Sequence, residues 1–268
     1  MSKLHSALAS GHALMPYLTA SDPSPDAFLD AALGAMDGGA AALEVGIPFS
    51  DPVADGPVIQ QAHQRALAAG GGVAATLDLV RSLRAACGVP LVLFTYLNPL
   101  LAYGMESFAE DALAAGADGV LVLDLPPEEE PGWFEYLAGR GLDPILLDSP
   151  NTSAQRFGRV AKLARGFVYV VSRAGITGTH AGASEGLDLR LSRLRSLCPL
   201  PMAVGFGVRT HQDVAAIWKA AECAVVGSAL VETLAACPAA ERRETARRFV
   251  AGLLRCQNGS DVSKEMTP

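Results

Sequence analysis

The chain has 268 residues, half of them hydrophobic and 18% charged, with a formal net charge of −7. That much apolar material offsets the entropy of ordering a backbone, so a disordered chain is excluded, and there is no basic surplus with which to displace counterions from nucleic acid. No apolar run approaches the roughly 18 residues of a membrane span, and the opening stretch MSKLHSALASGHALM has no signal-peptide core, so a cytoplasmic protein without nucleic-acid or membrane partners is expected.

In chain order, the run LMPYLT (14–19) is followed by the helical pattern SPDAFLDAALGAMDGG. AALEVGI (41–47) leads into the loop IPFSDPVADGP and two further helical patterns before Val89. LVLFTY (91–96) precedes SFAEDALAAGA, and GVLVLDL (119–125) and PILLD (144–148) come next. FVYVVS (167–172) opens into the Gly-rich RAGITGTHAGASEG; PMAVGF (201–206), the helical RTHQDVAAIWKAA and CAVVG (223–227) complete the series. These eight runs are near-continuously apolar, as strands covered on both faces are. Their alternation with helical patterns predicts a parallel α/β fold. The length suits a single (β/α)8 TIM barrel of roughly 250 residues, with a doubly wound open sheet as the alternative. The barrel is expected over residues 1–256, and the polar end, 257–268, is expected to be a disordered tail.

Elimination narrows the chemistry. The four lysines, Lys3, Lys162, Lys219 and Lys264, end no strand, which disfavours a Schiff-base aldolase. The histidines, His5, His12, His63, His180 and His211, have no metal-ligand spacing, and His63 falls mid-helix. Five cysteines, Cys87, Cys198, Cys223, Cys237 and Cys256, form no CxxC pair and are read as reduced packing residues. Carboxylates, by contrast, collect at strand ends: Asp22, Glu44, Asp51, Asp55, Asp124 and Asp148. Acid–base chemistry by carboxylates remains.

Glu44 lies inside a strand, where burial raises its pKa; the bland alternative is a structural glutamate bonded to a neighbour. Asp55 precedes the helical PVIQQAHQRAL, so capping competes with catalysis there. Asp124 has the bland role of fixing the turn into the next helix. GITGT (175–179), GFGV (205–208) and GSAL (227–230) follow three successive strands and together suggest a phosphate site, with a short helix beginning after Gly227-Ser228. Arg173 and Arg209 are weaker phosphate candidates. Tyr17, Phe94, Leu121, Tyr169 and Phe206 line either a pocket or simply the barrel core.

The segments EVGIPFSDPVADGPVIQ, LVLFTYLNPLLAYG, GVLVLDLPPEE, SRAGITG, GFGV and VVGSALV, in this order between about His5 and about Arg255, resemble tryptophan synthase alpha chains. The resemblance implies cleavage of indole-3-glycerol phosphate to indole and D-glyceraldehyde 3-phosphate in L-tryptophan biosynthesis. It implies that Glu44 is the general acid/base and that Asp55 accepts a hydrogen bond from the indole N–H. It places Gly178, Gly207, Gly227 and Ser228 at the phosphate, and Tyr17, Phe94, Leu121, Tyr169, Thr177 and Phe206 around the substrate. It implies no metal and no cofactor on this chain, and a pyridoxal-phosphate-dependent beta subunit as partner in an α2β2 complex. That partner would dock near Asp51, Pro52 and Asp124. Ser21 in TASDP departs from the family's usual glycine, Asp148-Ser149 is more polar than expected, and THAGASEG also differs. A stand-alone indole-releasing lyase and a non-catalytic ligand-binding activator are the alternatives.

Overall fold

A computed structural model of the chain describes residues 1–171, 183–205 and 207–255. Arg173, Thr177, Gly178, Phe206 and the tail from 257 to 268 therefore lie outside the described residues. The strand segments are β1 (Ala13–Thr19), β2 (Leu43–Gly46), β3 (Leu91–Thr95), β4 (Gly119–Val122), β5 (Asp143–Pro144), β6 (Leu146–Asp148), β7 (Val168–Val171), β8 (Met202–Gly205) and β9 (Cys223–Val226). They form one parallel sheet in the order β5-β4-β3-β2-β1-β9-β8-β7-β6.

The two edges of that order, β5 and β6, are halves of the single run 144–148 expected from sequence, extended by Asp143. β5 pairs with β4 and β6 pairs with β7, so the sheet closes through this broken strand into an eight-stranded barrel. Pro144 has no N–H to donate; its carbonyl accepts from Arg165, while the Ile145 N–H goes to Val120 O at 2.8 Å. The chain thus passes from one neighbour to the other at the proline. An open doubly wound sheet needs a point where strand order reverses, and this order contains none.

Helices cover the outside. Pro25–Asp37 starts where the sequence predicts, with the Ser24 side chain accepting from Ala27 N–H and Pro25 in the first turn. It packs on Arg242–Leu254, where a Cβ on Gly34 would run into the Arg243 carbonyl. His211–Ile217 carries a reciprocal capping box between Thr210 and Asp213. At the N-terminal end of the barrel, the helix Lys3–Leu8 buries Leu4 and Leu8 completely, and Leu4 lies against Gly119 at the start of β4. No single helix among the described residues is long and apolar enough to cross a membrane.

Candidate active site

Parallel register decides which side chains share the barrel interior. Tyr17 is level with Glu44, Glu44 with Val92, Gly46 with Phe94, and Phe94 with Leu121. Leu147 is level with Tyr169, Tyr169 with Ala203, and Ala203 with Cys223. Because side chains alternate along a strand, Tyr17, Glu44, Phe94, Leu121 and Tyr169 all face inward together. The two tyrosines fit because their neighbours are glycines: a Cβ on Gly46 would collide with the Tyr17 hydroxyl, and one on Gly205 with the Tyr169 hydroxyl. Tyr17 meets Phe94 edge to face at 5.5 Å, and its hydroxyl shares a hydrogen bond with Thr19.

Glu44 is 1% exposed, and among the described residues its Oε1 has no hydrogen-bond partner. The bland reading, a structural glutamate satisfied by a neighbour, does not account for that oxygen. Burial first, and the nearby charge of Asp55 second, push its pKa up to about 8, so the group is mostly protonated at neutral pH. A carboxylic acid that carries a proton at pH 7 is equipped to donate it.

Asp55 arrives from the loop after β2. The capping reading fails: the N-cap of Pro57–Ala68 is Gly56, with no side-chain cap bond. The carboxylate turns instead toward Tyr96, whose hydroxyl donates to Oδ2 at 2.8 Å and accepts the Ala54 N–H at 3.2 Å. Gln60 donates to the Asp55 carbonyl at 2.9 Å. His63, 1% exposed, accepts the Phe49 N–H on Nδ1 at 3.2 Å and places Nε2 3.3 Å from Asp55 Oδ2; that second approach is close but not aligned as a hydrogen bond. Tyr96 and His63 are the two residues that sequence reasoning missed. Tyr96 ended a recognised apolar run, on the same strand face as Phe94, which was the available signal; His63 looked like a helix residue without a role.

Asp124 does not fix the turn into its own following helix. Its Oδ1 accepts from Leu97 N–H at 2.7 Å, at the start of Leu97–Tyr103 on the neighbouring unit. Asp51 is exposed and bonded to Ser50, whereas Pro52 is buried. Arg209 is exposed and paired with Glu232. Asp22 is held by Arg65 through two bonds of 2.7 and 2.8 Å, tying the loop after β1 to Pro57–Ala68.

At the other side of the mouth, Gly227 is the N-cap of Ser228–Ala235, a helix with no acidic residue in its first turn. Its unpaired N–H groups and positive dipole end face outward from β9. Gly207, just beyond β8, has φ +81°, a backbone setting that favours glycine. Both are suited to receiving an anion through backbone N–H groups. Among the described residues no group of His, Cys, Asp and Glu is arranged to hold a metal ion, and Cys87, Cys198, Cys223 and Cys237 are free thiols.

Comparison with known proteins agrees with this geometry. The family profile described as "Tryptophan synthase alpha chain" matches residues 5–258. The chain is 46% identical over 248 residues to a tryptophan synthase alpha chain of Methylococcus capsulatus, covering 92% of each. It is 45% identical over 247 residues to that of Chromobacterium violaceum, covering 92% of this chain and 94% of the relative. The crystal structure of tryptophan synthase subunit alpha from Legionella pneumophila superposes with a TM-score of 0.86 at 34% identity, over 95% of this chain and 98% of that one. At this identity and coverage, on a barrel of the same architecture, the chain belongs to the tryptophan synthase alpha chain family.

Proposed function

We propose that this chain cleaves indole-3-glycerol phosphate by a retro-aldol reaction, with Glu44 moving the proton and Asp55 holding the indole N–H. The observation that carries this reading is the pair itself: a buried acid protonated near pH 7, facing the barrel interior beside an anchored carboxylate. Glu44 protonates indole C3, and Asp55 stabilises the charge that appears on the ring nitrogen. Glu44, now a carboxylate, takes the proton of the side-chain hydroxyl as the carbon–carbon bond breaks. The electron pair returns to the indole ring, the alcohol carbon becomes the aldehyde, and Glu44 ends protonated as it began. No covalent intermediate is formed, and neither metal nor pyridoxal phosphate takes part in this scheme.

Gly207, Gly227 and Ser228 would bind the phosphate, together with Gly178; Tyr17, Phe94, Leu121 and Tyr169 would enclose the indole, with Thr177 and Phe206 completing the pocket. A beta subunit would dock on the C-terminal barrel face, where Asp51, Asp124 and the 83% exposed Val53 offer surface, to give an α2β2 complex acting in the cytoplasm. Indole is neutral and apolar, so direct transfer to a partner avoids its loss through membranes. Isolated chain should therefore release indole slowly, and added beta subunit should accelerate release about tenfold or more, a coupling of about 1.4 kcal/mol. Calorimetric titration beside an indole assay tests this: full turnover alone with no detectable complex would favour a stand-alone lyase. Cleavage should also survive a chelator unchanged; loss of activity in EDTA would count against the metal-free scheme.

A further inference from the structure

His63 has the features of a built contact rather than of core filling. It is 1% exposed on Pro57–Ala68, and its Nδ1 accepts the Phe49 N–H at 3.2 Å. A ring nitrogen that accepts carries no proton, so in the neutral ring the proton is on Nε2. Nε2 lies 3.3 Å from Asp55 Oδ2 without the alignment of a hydrogen bond, and among the described residues it has no other partner. A buried donor without a partner is unfavourable, which favours a turn of the carboxylate that brings Oδ2 into line with it. Bonds that serve catalysis are often long before substrate binds and tighten afterwards. Tyr96 already donates to the same oxygen, so among the described residues both side-chain contacts to this carboxylate fall on Oδ2. Oδ1 is then the oxygen offered to a ligand.

We propose that His63 is a positioning residue for Asp55: its neutral Nε2–H imidazole staples Phe49 and Asp55, the two ends of the loop after β2, and turns Oδ1 toward the substrate N–H. This rests on the reading of Asp55 as the residue that meets the indole nitrogen. The loop contains Pro48, Pro52 and Gly56; the Tyr96 hydroxyl holds Ala54 and Asp55 at its far end and the Tyr96 ring lies 5.2 Å from that of Phe49, while the imidazole adds a polar tie between the Phe49 N–H and Asp55. Misplacing a reacting group by about 1 Å can cost about 100-fold, so even partial loss of this staple is visible in turnover.

The test is steady-state cleavage of indole-3-glycerol phosphate by H63L, H63Q, H63N and D55N, with the melting temperature of each. H63L should lower kcat by about tenfold or more while KM stays within about twofold, because orientation for the transition state is lost rather than ground-state binding. H63Q sets an amide nitrogen near the Nε2 position and should recover most of kcat. H63N reaches only the Nδ1 position and should remain as slow as H63L. Adding H63L to D55N should cost nothing further. Nitrogen-15 NMR of histidine-labelled protein, with the His63 signals identified by their absence in H63Q, should show Nδ1 unprotonated and Nε2 protonated at neutral pH. The proposal is overturned if H63L turns over normally beside an impaired D55N, if H63Q and H63N fall equally in step with their melting temperatures, or if the proton is found on Nδ1. Full activity in D55N would overturn the reading of Asp55 itself, and the role of His63 with it.

Discussion

A protonated carboxyl group buried in a strand has a measurable signature in stability. In the fold, burial pushes the Glu44 carboxyl up to about 8, from 4.5 for the free side chain. Between those pH values the folded state keeps a proton that the unfolded chain has lost, so stability falls as pH rises through this window. Replacement by Gln removes the titration, and the stability of Glu44→Gln relative to wild type should therefore grow from pH 5 to pH 9 in denaturant titrations. A difference that stays constant across that range would show that Glu44 does not carry a raised pKa. The same proton predicts an alkaline limb in kcat/KM beginning near pH 8. A second residue-scale test concerns Ser21, which adopts φ +65° with its hydroxyl buried and, among the described residues, without a hydrogen-bond partner. The family's usual glycine is explained by that backbone setting, since a left-handed conformation costs an L-residue roughly 1–2 kcal/mol. Ser21→Gly should stabilise the chain by about 1 kcal/mol in thermal unfolding; a loss would mean that the hydroxyl has a role its surroundings do not reveal. Glu44 was legible from sequence because a glutamate inside an apolar run is costly anywhere. Asp55 was open in the sequence between capping and catalysis; the N-cap at Gly56 and the bond from Tyr96, 41 positions away, remove the capping reading.

At the scale of elements, the periodicity located every strand but did not foresee that the fifth is broken. A two-residue and a three-residue segment around Ile145 exchange neighbours at a proline, and no local pattern distinguishes that from one short strand. Nor did sequence explain the polar Asp148-Ser149. Asp148 is buried at the end of β6 and is gripped by Arg190 of the helix Ala183–Arg195, which also donates to the carbonyls of Asp148 and Val171 at 2.7 Å each. One guanidinium thus joins the ends of β6 and β7 to the helix that follows. Arg190→Leu leaves a buried carboxylate without its partner and should cost about 3–5 kcal/mol, while replacing both by leucine should cost far less. Equal losses in the single and double variants would argue that the pair is not coupled. The glycine at the mouth gives a contrasting case. Nothing lies within 4 Å of a Cβ built on Gly207, and aspartate is among the residues that tolerate positive φ. Gly207→Asp should accordingly fold with little loss yet raise KM by repelling the phosphate; unchanged KM would remove Gly207 from the anion site.

For the whole molecule, closure of the barrel is what turns scattered strand-end residues into a site. Glu44 on β2, Tyr169 on β7 and Gly227 after β9 are far apart in sequence, and only a closed sheet sets them around one mouth. Sequence alternation established parallel strands and crossover helices, but closure depends on pairing between β6 and β7, which no single segment encodes. The expected docking residues were the least legible part, because exposure depends on how a loop folds: Pro52 turned inward while Val53 turned outward. In the proposed mechanism, cleavage rests on proton transfer by one carboxyl group in this barrel. The most direct measurement is indole release from indole-3-glycerol phosphate by wild type and Glu44→Gln, each with and without the tryptophan synthase beta subunit, at equal folded concentration. The amide fills the same space but cannot shuttle a proton, so turnover should fall at least about 100-fold in both settings, with phosphate-ligand binding retained. Turnover by Glu44→Gln close to that of wild type would contradict the assignment of Glu44 and the mechanism built on it.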